Sequence, residues 1–218
     1  MSTLVAGWIP SSGGEGAIDL FFAALSLAFP VPAPLDVGEE ARLVRAARLG
    51  NPDAVRRLYE THVARVYRTV RALLDSDAEA EDATQDAFVD ALAHLDRYQA
   101  RPGVRLAAWL ATLALNRARK RRAAAARTRP AGPEVIAALA DAEGGTGGDE
   151  AALLRRQALL AALSELPERD RQVVALFHGA ELTADEVARA TGLSAAAVRK
   201  ICERRRRELL ARLSGGEP

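Results

Sequence analysis

The stretch "TADEVARATGLSAAAVRKICERRRREL", Thr183–Leu209, carries the punctuation of two helices and a tight turn. Thr183 is an N-cap, and Glu186 three residues later completes a capping box, which starts a short helix over "ADEVARAT". Gly192 supplies the left-handed residue that ends it, and Ser194 caps a second helix after a turn of a few residues. Two helices meeting at a steep angle need a small residue where they cross, and Ala188 is that residue. Leu193, Val198 and Ile201 plug the gap between them. This is a helix-turn-helix.

A wheel of 100° per residue divides the second helix. Val198, Ile201, Cys202 and Leu209 share the inward face, whereas Ala196, Arg199, Lys200, Glu203 and Arg207 look outward. A slim leading end suits entry into a DNA major groove. Arginine and lysine donate to guanine edges and phosphates, and Glu203 accepts from cytosine. Arg204, Arg206 and Arg207 lie further along, placed to grip the backbone. Arg205 falls near the inward face, so its stem snorkels along the core edge or the helix splays.

The remainder of the chain also reads as helical. Apolar residues make up 49% and aromatics only 5%, with alanine and leucine dominant, which favours helices over strands. No alternating apolar run bounded by turns calls for a sheet. The net charge of +1 conceals an uneven distribution. From Asp75 to Asp90 every ionisable residue is acidic, and from Arg117 to Arg129 every one is basic. One acidic and two basic surfaces follow. The single cysteine, Cys202, forms no intrachain disulfide and reads as core, in keeping with a reducing cytoplasm. The histidines show no metal-ligand spacing, and no phosphate loop or nucleophile elbow appears. The sequence calls for no metal, no cofactor and no catalytic residue. The apolar run Ala17–Phe29 is too short to span a bilayer and lacks a basic flank, so neither membrane insertion nor a signal peptide is expected.

The expected organisation is all-α, with two small helical domains on a flexible linker. Residues 1–38 form a Gly-, Pro- and Ser-rich extension, either a poorly ordered tail with one short helix or a segment that docks. Residues 39–122 hold the first domain. Within it, Asn51 caps a helix that begins at Pro52 and repeats apolar residues at three- and four-residue steps from Val55 to Leu74. The acidic helix follows from about Ala78 to Leu95, and then "RLAAWLATLALNRARKRR" turns from apolar to cationic, with Trp109 on its core stripe. Residues 123–150 read as a linker, which if fully flexible spans roughly 30 Å and suits two independently mobile domains. Residues 151–213 hold the second domain, with a tail at 214–218.

"DAEAEDATQDAFVDALAHLDRY" followed by "RLAAWLATLALNRARKRR" resembles region 2 of bacterial sigma factors. "LSELPERDRQVVALFHGAELTADEVARATGLSAAAV" resembles their region 4. The whole, from about Glu39 to Leu213 without the linker, is similar to the extracytoplasmic-function type of the sigma-70 family. The resemblance implies a transcription initiation factor that binds core RNA polymerase and recognises promoter −35 and −10 elements. It also implies an anti-sigma factor as a partner and a cytoplasmic location.

By resemblance, Glu81, Asp82, Gln85 and Asp86 face the β′ coiled coil of the polymerase, and region 4 meets the β flap. An acidic strip with an amide suits charge-assisted hydrogen bonds to a partner's arginines. The loop Asp96–Arg105, with Arg97, Tyr98, Gln99 and Arg101, matches the part that captures an unpaired −10 base. Asn116, Arg117, Arg119 and Lys120 match the part that touches the −10 strand. The −35 contacts then fall on Ser194, Ala196, Arg199, Lys200, Glu203, Arg204, Arg206 and Arg207. Leu115 stands where relatives often carry arginine. Two other functions fit a C-terminal helix-turn-helix: a stand-alone transcription regulator, and a sigma-like adaptor that sequesters an anti-sigma factor.

Overall fold

The computed structural model describes residues 32–33, 35–99, 105–128 and 150–214. Among them there are helices and connecting turns and no strand.

Helix α1, Val37–Arg48, begins at Asp36, whose side chain accepts from the Glu39 amide at 2.8 Å. Residues 37 and 38, read from sequence as part of the extension, thus belong to the first domain's opening helix. Helix α2, Pro52–Arg71, is capped by Asn51 as the sequence requires, with Pro52 where a missing amide costs nothing. Helix α3, Asp77–Ala93, is capped by Ser76. A 3-10 turn, Leu95–Arg97, leads away from it. Helix α4, Leu106–Thr128, runs six residues past Arg122, through residues read as linker. "AAAART" has strong helix propensity and no breaker, so local preference carries the helix on.

Alanine sets the packing of this domain. Ala80, Ala83, Ala87 and Ala91 on α3, and Ala111, Ala114 and Ala118 on α4, are all essentially inaccessible to solvent. Their three- and four-residue spacing puts a flat stripe on each helix, and the two backbones approach closely. Leu58, Val66 and Val70 of α2 and Leu106, Leu110 and Leu115 of α4 fill the remaining core.

The second domain is built from α5 (Glu150–Ser164), α6 (Glu168–Val174), a π-helical turn (Ala175–Gly179), α7 (Ala184–Thr191) and α8 (Ala195–Ser214). Leu159, Leu163, Val173, Leu176, Val187, Val198, Cys202 and Leu209 form its core. The call of a flexible linker rests largely on residues 129–149, which lie outside the described residues, as do residues 1–31.

The two domains are not independent bodies here. The π-helical turn lies on α2, and a Cβ built at Gly179 would stand 3.1 Å from the Thr69 amide nitrogen. Any side chain there would have to push the α2 backbone back by a few tenths of an ångström. Glu181, with φ 54°, then reaches back to two arginines of α2. Its carboxylate accepts from Arg65 at 3.0 Å and from Arg68 at 2.6 Å. Arg68 is 1% exposed, so a full positive charge sits inside the joint and Glu181 answers it. This is why the second half of α2 is buried nearly all round, polar Thr61, His62, Arg65 and Thr69 included.

Candidate nucleic-acid and polymerase interfaces

The helix-turn-helix has the caps that its sequence calls for. Thr183 accepts from the Glu186 amide and Glu186 accepts from the Thr183 amide, at 3.3 and 2.9 Å. Gly192 adopts φ 73°, and Ser194 accepts from the Ala197 amide at 3.1 Å. Val198, Cys202 and Leu209 are buried, and Ile201 is partly so. Ala196, Arg199, Lys200, Glu203 and Arg207 are exposed, as the wheel has them. Arg199 and Lys200 make no hydrogen bond or ion pair among the described residues, so their donors face water. Arg207 pairs with Glu203 one turn back. Arg204 donates to Asp170 at 2.9 Å but keeps much of its surface. Arg205 settles the alternatives left by its position: it lies at the core edge, donating to Asp170 at 2.7 Å and pairing with Glu208. Burial drives the Cys202 thiol up to about 12, with Asp170 adding to the rise, so it is an inert core group.

The acidic and basic helices face one another. Asp82, Asp86 and Asp90 form one stripe of α3, and Arg117 and Arg121 form the matching stripe of α4. Arg121 donates to Asp86 at 2.8 Å and to Asp82 at 3.3 Å, and Arg117 donates to Asp90 at 2.7 Å. The hydrogen bond from Arg117 holds the Asp90 carboxyl below its usual range, and the same bond raises the Arg117 guanidinium. Asp86 likewise raises Arg121. Glu81 and Gln85, on the neighbouring stripe, are exposed and form no such pair among the described residues.

The expected −10 residues differ in their surroundings, Arg117 being paired with Asp90. Asn116, Lys120, Asp96, Arg97 and Gln99 are exposed. Arg105 and Arg119 are held by the second domain. Arg105 makes a two-pronged contact with Glu186, at 2.8 and 2.6 Å, and Arg119 donates to Gln172. Burial raises the Glu186 carboxyl, but the Arg105 bond and the Thr183 bonds outweigh it and hold it low. One carboxylate therefore caps α7 and clamps the two domains together. Asp77 works similarly: it accepts from Tyr67 and Arg71, both at 2.7 Å, and pairs with Arg156 of α5.

Tyr98 is the enclosed member of the expected −10 set. It is 2% exposed, its hydroxyl donates to Glu40 at 3.2 Å, and its ring lies 5.5 Å from that of Trp109. It is a core residue in this structure, because α1 closes over it and Arg48 donates to its carbonyl. Trp109 is only partly buried, on the stripe expected for it. Leu115 is fully buried, so an arginine at this position would point into the core. Arg101 lies outside the described residues. Residues that sequence reasoning missed are Arg65, Arg68 and Glu181 at the joint and Arg121 on the ladder. No described cluster of histidine, cysteine or carboxylate could hold a metal ion, and no described helix is long and apolar enough to cross a membrane.

Residues 58–128 match the model of sigma-70 region 2, and residues 156–209 match that of sigma-70 region 4. Among solved structures, the chain is similar to CnrH in complex with the cytosolic domain of CnrY. The TM-score is 0.59 at 25% identity, covering 82% of this chain and 99% of CnrH. It is also similar in fold to RpoE of Bartonella quintana, in complex with the anti-sigma factor NepR. There the TM-score is 0.56 at 20% identity, covering 75% of this chain and 98% of RpoE. No curated protein matches. The two matched regions together take in more than half of the chain, in the order region 2 then region 4, and the chain belongs to the sigma-70 family. Within that family it is a factor of the extracytoplasmic-function type. It binds core RNA polymerase and directs it to promoters.

Proposed function

We propose that the two domains read two promoter elements and that α3 holds the polymerase between them. Helix α8 enters the −35 major groove, with Ala196 at the point of closest approach and Arg199, Lys200 and Glu203 at base edges. Ser194, Arg204, Arg206 and Arg207 hold phosphates beside it. Asp96, Arg97, Tyr98, Gln99, Arg101 and Arg105 take the unpaired −10 base, Tyr98 once α1 uncovers it, and Asn116, Arg117, Arg119 and Lys120 follow the strand. Glu81, Asp82, Gln85 and Asp86 meet the β′ coiled coil, and region 4 meets the β flap. Melting draws on binding energy for splayed bases and needs no covalent chemistry, so the chain is not an enzyme and the polymerase supplies the catalysis. Promoter engagement exchanges the contacts of Arg105 and Arg119 with region 4 for phosphates. The domains are those read from the sequence, 39–122 and 151–213, with the first lengthened by α1 back to Val37 and by α4 into the connection, and the second opening at Glu150. Both similar structures are complexes, one of them with a named anti-sigma factor, which supports an anti-sigma partner for this chain in the cytoplasm.

The observation that carries this reading is that Arg199 and Lys200, exposed on the outward face of a capped helix-turn-helix, have no pair among the described residues. Run-off transcription with purified core polymerase tests it. A sigma factor yields discrete starts. A stand-alone regulator binds duplex DNA without starts, and an adaptor does neither.

A further inference from the structure

Helices α3 and α4 run antiparallel, and their flanking charges interlock as a ladder. Asp82 and Asp86 share Arg121, and one turn further along Asp90 takes Arg117. The ladder is a surface feature. The side chains of Asp82 and Asp86 keep 64% and 47% of their exposure, and that of Arg121 keeps 31%. Beneath it the alanine stripes are already closed. Screened pairs of this kind add little to stability, so the two helices do not depend on them. What the ladder does control is availability. Two of the four carboxylate or amide groups read as facing the polymerase are occupied by a cation of the chain's own −10 helix.

We propose that Arg121 is an intramolecular competitor for the polymerase, and that it ties core binding to −10 binding. This rests on the reading of Asp82 and Asp86 as polymerase-facing. A cation arriving from the polymerase competes for the charge of two carboxylates that Arg121 already holds through one oxygen each. When it takes them, Arg121 is released on the helix that carries Asn116, Arg117, Arg119 and Lys120, and its five donors turn to the DNA strand. The effects are linked and reciprocal: whatever core binding gains from strand binding, strand binding gains from core binding. In the free chain, the same pairing keeps the −10 helix from gripping nucleic acid.

The sign of one substitution separates this from a ladder that only zips helices. Arg121→Gln keeps length and polarity without charge. Affinity for purified core, measured with the full chain by competition against a labelled sigma factor, rises roughly two- to fivefold, the range set by one or two exposed ion pairs. Arg121→Lys keeps wild-type affinity. Assembled with core, Arg121→Gln then binds single-stranded oligothymidylate more weakly than wild type, with a salt slope smaller by about one. Weaker or unchanged core affinity in Arg121→Gln, at an unchanged melting temperature, overturns the proposal. If its melting temperature falls, Asp90→Asn with Arg117 intact provides a second readout. That variant must raise oligothymidylate binding by the free chain, and no rise overturns the proposal. Asp82→Asn with Asp86→Asn reports on the underlying reading. Lost core affinity supports it, and untouched core affinity means that the polymerase assignment itself has failed.

Discussion

The molecule carries two basic helices, and it presents them in opposite ways. On α8, Arg199 and Lys200 stand in water without partners among the described residues. On α4, Arg117 and Arg121 are paired with aspartates of α3, Arg119 with Gln172, and Arg122 with the Leu73 carbonyl at 3.1 Å. Lys120 alone among its neighbouring cations makes no described pair. The composition of the two helices is alike, so charge count does not explain the contrast. Tertiary placement does. Helix α8 packs one face on α6 and α7 and leaves Arg199 and Lys200 at its leading end exposed, its cations further along being paired with Asp170, Glu203, Glu208 and Glu165, whereas α4 lies between an acidic helix and the second domain. The duplex-reading surface is ready in the free chain. On the proposed reading, part of the strand-binding surface, Arg105, Arg117 and Arg119, is held by the chain's own side chains, while Asn116 and Lys120 stay exposed.

The strongest way to break this contrast is at the domain joint. Glu181→Arg leaves buried Arg68 facing a like charge in place of its carboxylate. Losing one partner of a fully buried pair costs about 3–5 kcal/mol, and less here because the Glu181 carboxylate is 45% exposed, so the joint loosens without either domain unfolding. Small-angle scattering reads an increased radius of gyration, and single-strand binding rises as Arg105 and Arg119 come free. Gly179→Val acts at the same joint through the Thr69 backbone.

The next effect is on the bare helix. Arg199→Ala costs roughly 1–3 kcal/mol at its preferred −35 site and relaxes preference there, whereas Arg206→Ala weakens all sequences alike. Quantitative gel shifts over a set of duplexes distinguish the two. A smaller effect, tied to pH, lies in the first domain. Burial first, then Arg65 and Arg105, lower His62 to about 4, and its ring nitrogens find no hydrogen-bond partner. Its folded-state value lies below the ordinary 6.5, so its contribution is complete above that pH and is lost as pH falls towards 4. The slope is on the order of 1.4 kcal/mol per unit at most. Thermal melts between pH 7 and 4.5 should show it, and His62→Leu should flatten it. The smallest effect is on the ladder, where Asp90→Asn improves single-strand binding by the free chain only a few-fold.

Much of this was legible in the sequence, for reasons that are local. Thr183, Glu186, Gly192 and Ser194 act within a few residues of themselves, so caps and turn could be read without a partner. The inward and outward faces of α8 follow from helical period alone. The alanine stripe of α3 was visible as Ala83, Ala87 and Ala91. What escaped was placement across the fold. Nothing in the sequence singles out Arg65 and Arg68, because nothing near them announces Glu181 more than a hundred residues away. Gly179 read as a helix end, while its missing side chain serves a close approach to α2. Tyr98 carried a resemblance to a DNA-contacting loop, yet α1 covers it. The acidic and basic runs were each assigned to an outside partner, and their pairing with each other required the alanine stripes to bring α3 and α4 together.

The contrast between the two basic helices is tested most directly by one salt series on the free, full-length chain. Affinity for a duplex and for a single-stranded oligonucleotide of equal length is measured from low to physiological ionic strength. The account predicts measurable duplex binding that falls with salt and single-strand binding several-fold weaker throughout. Single-strand binding equal to or tighter than duplex binding, with the domains still docked by scattering, would contradict it.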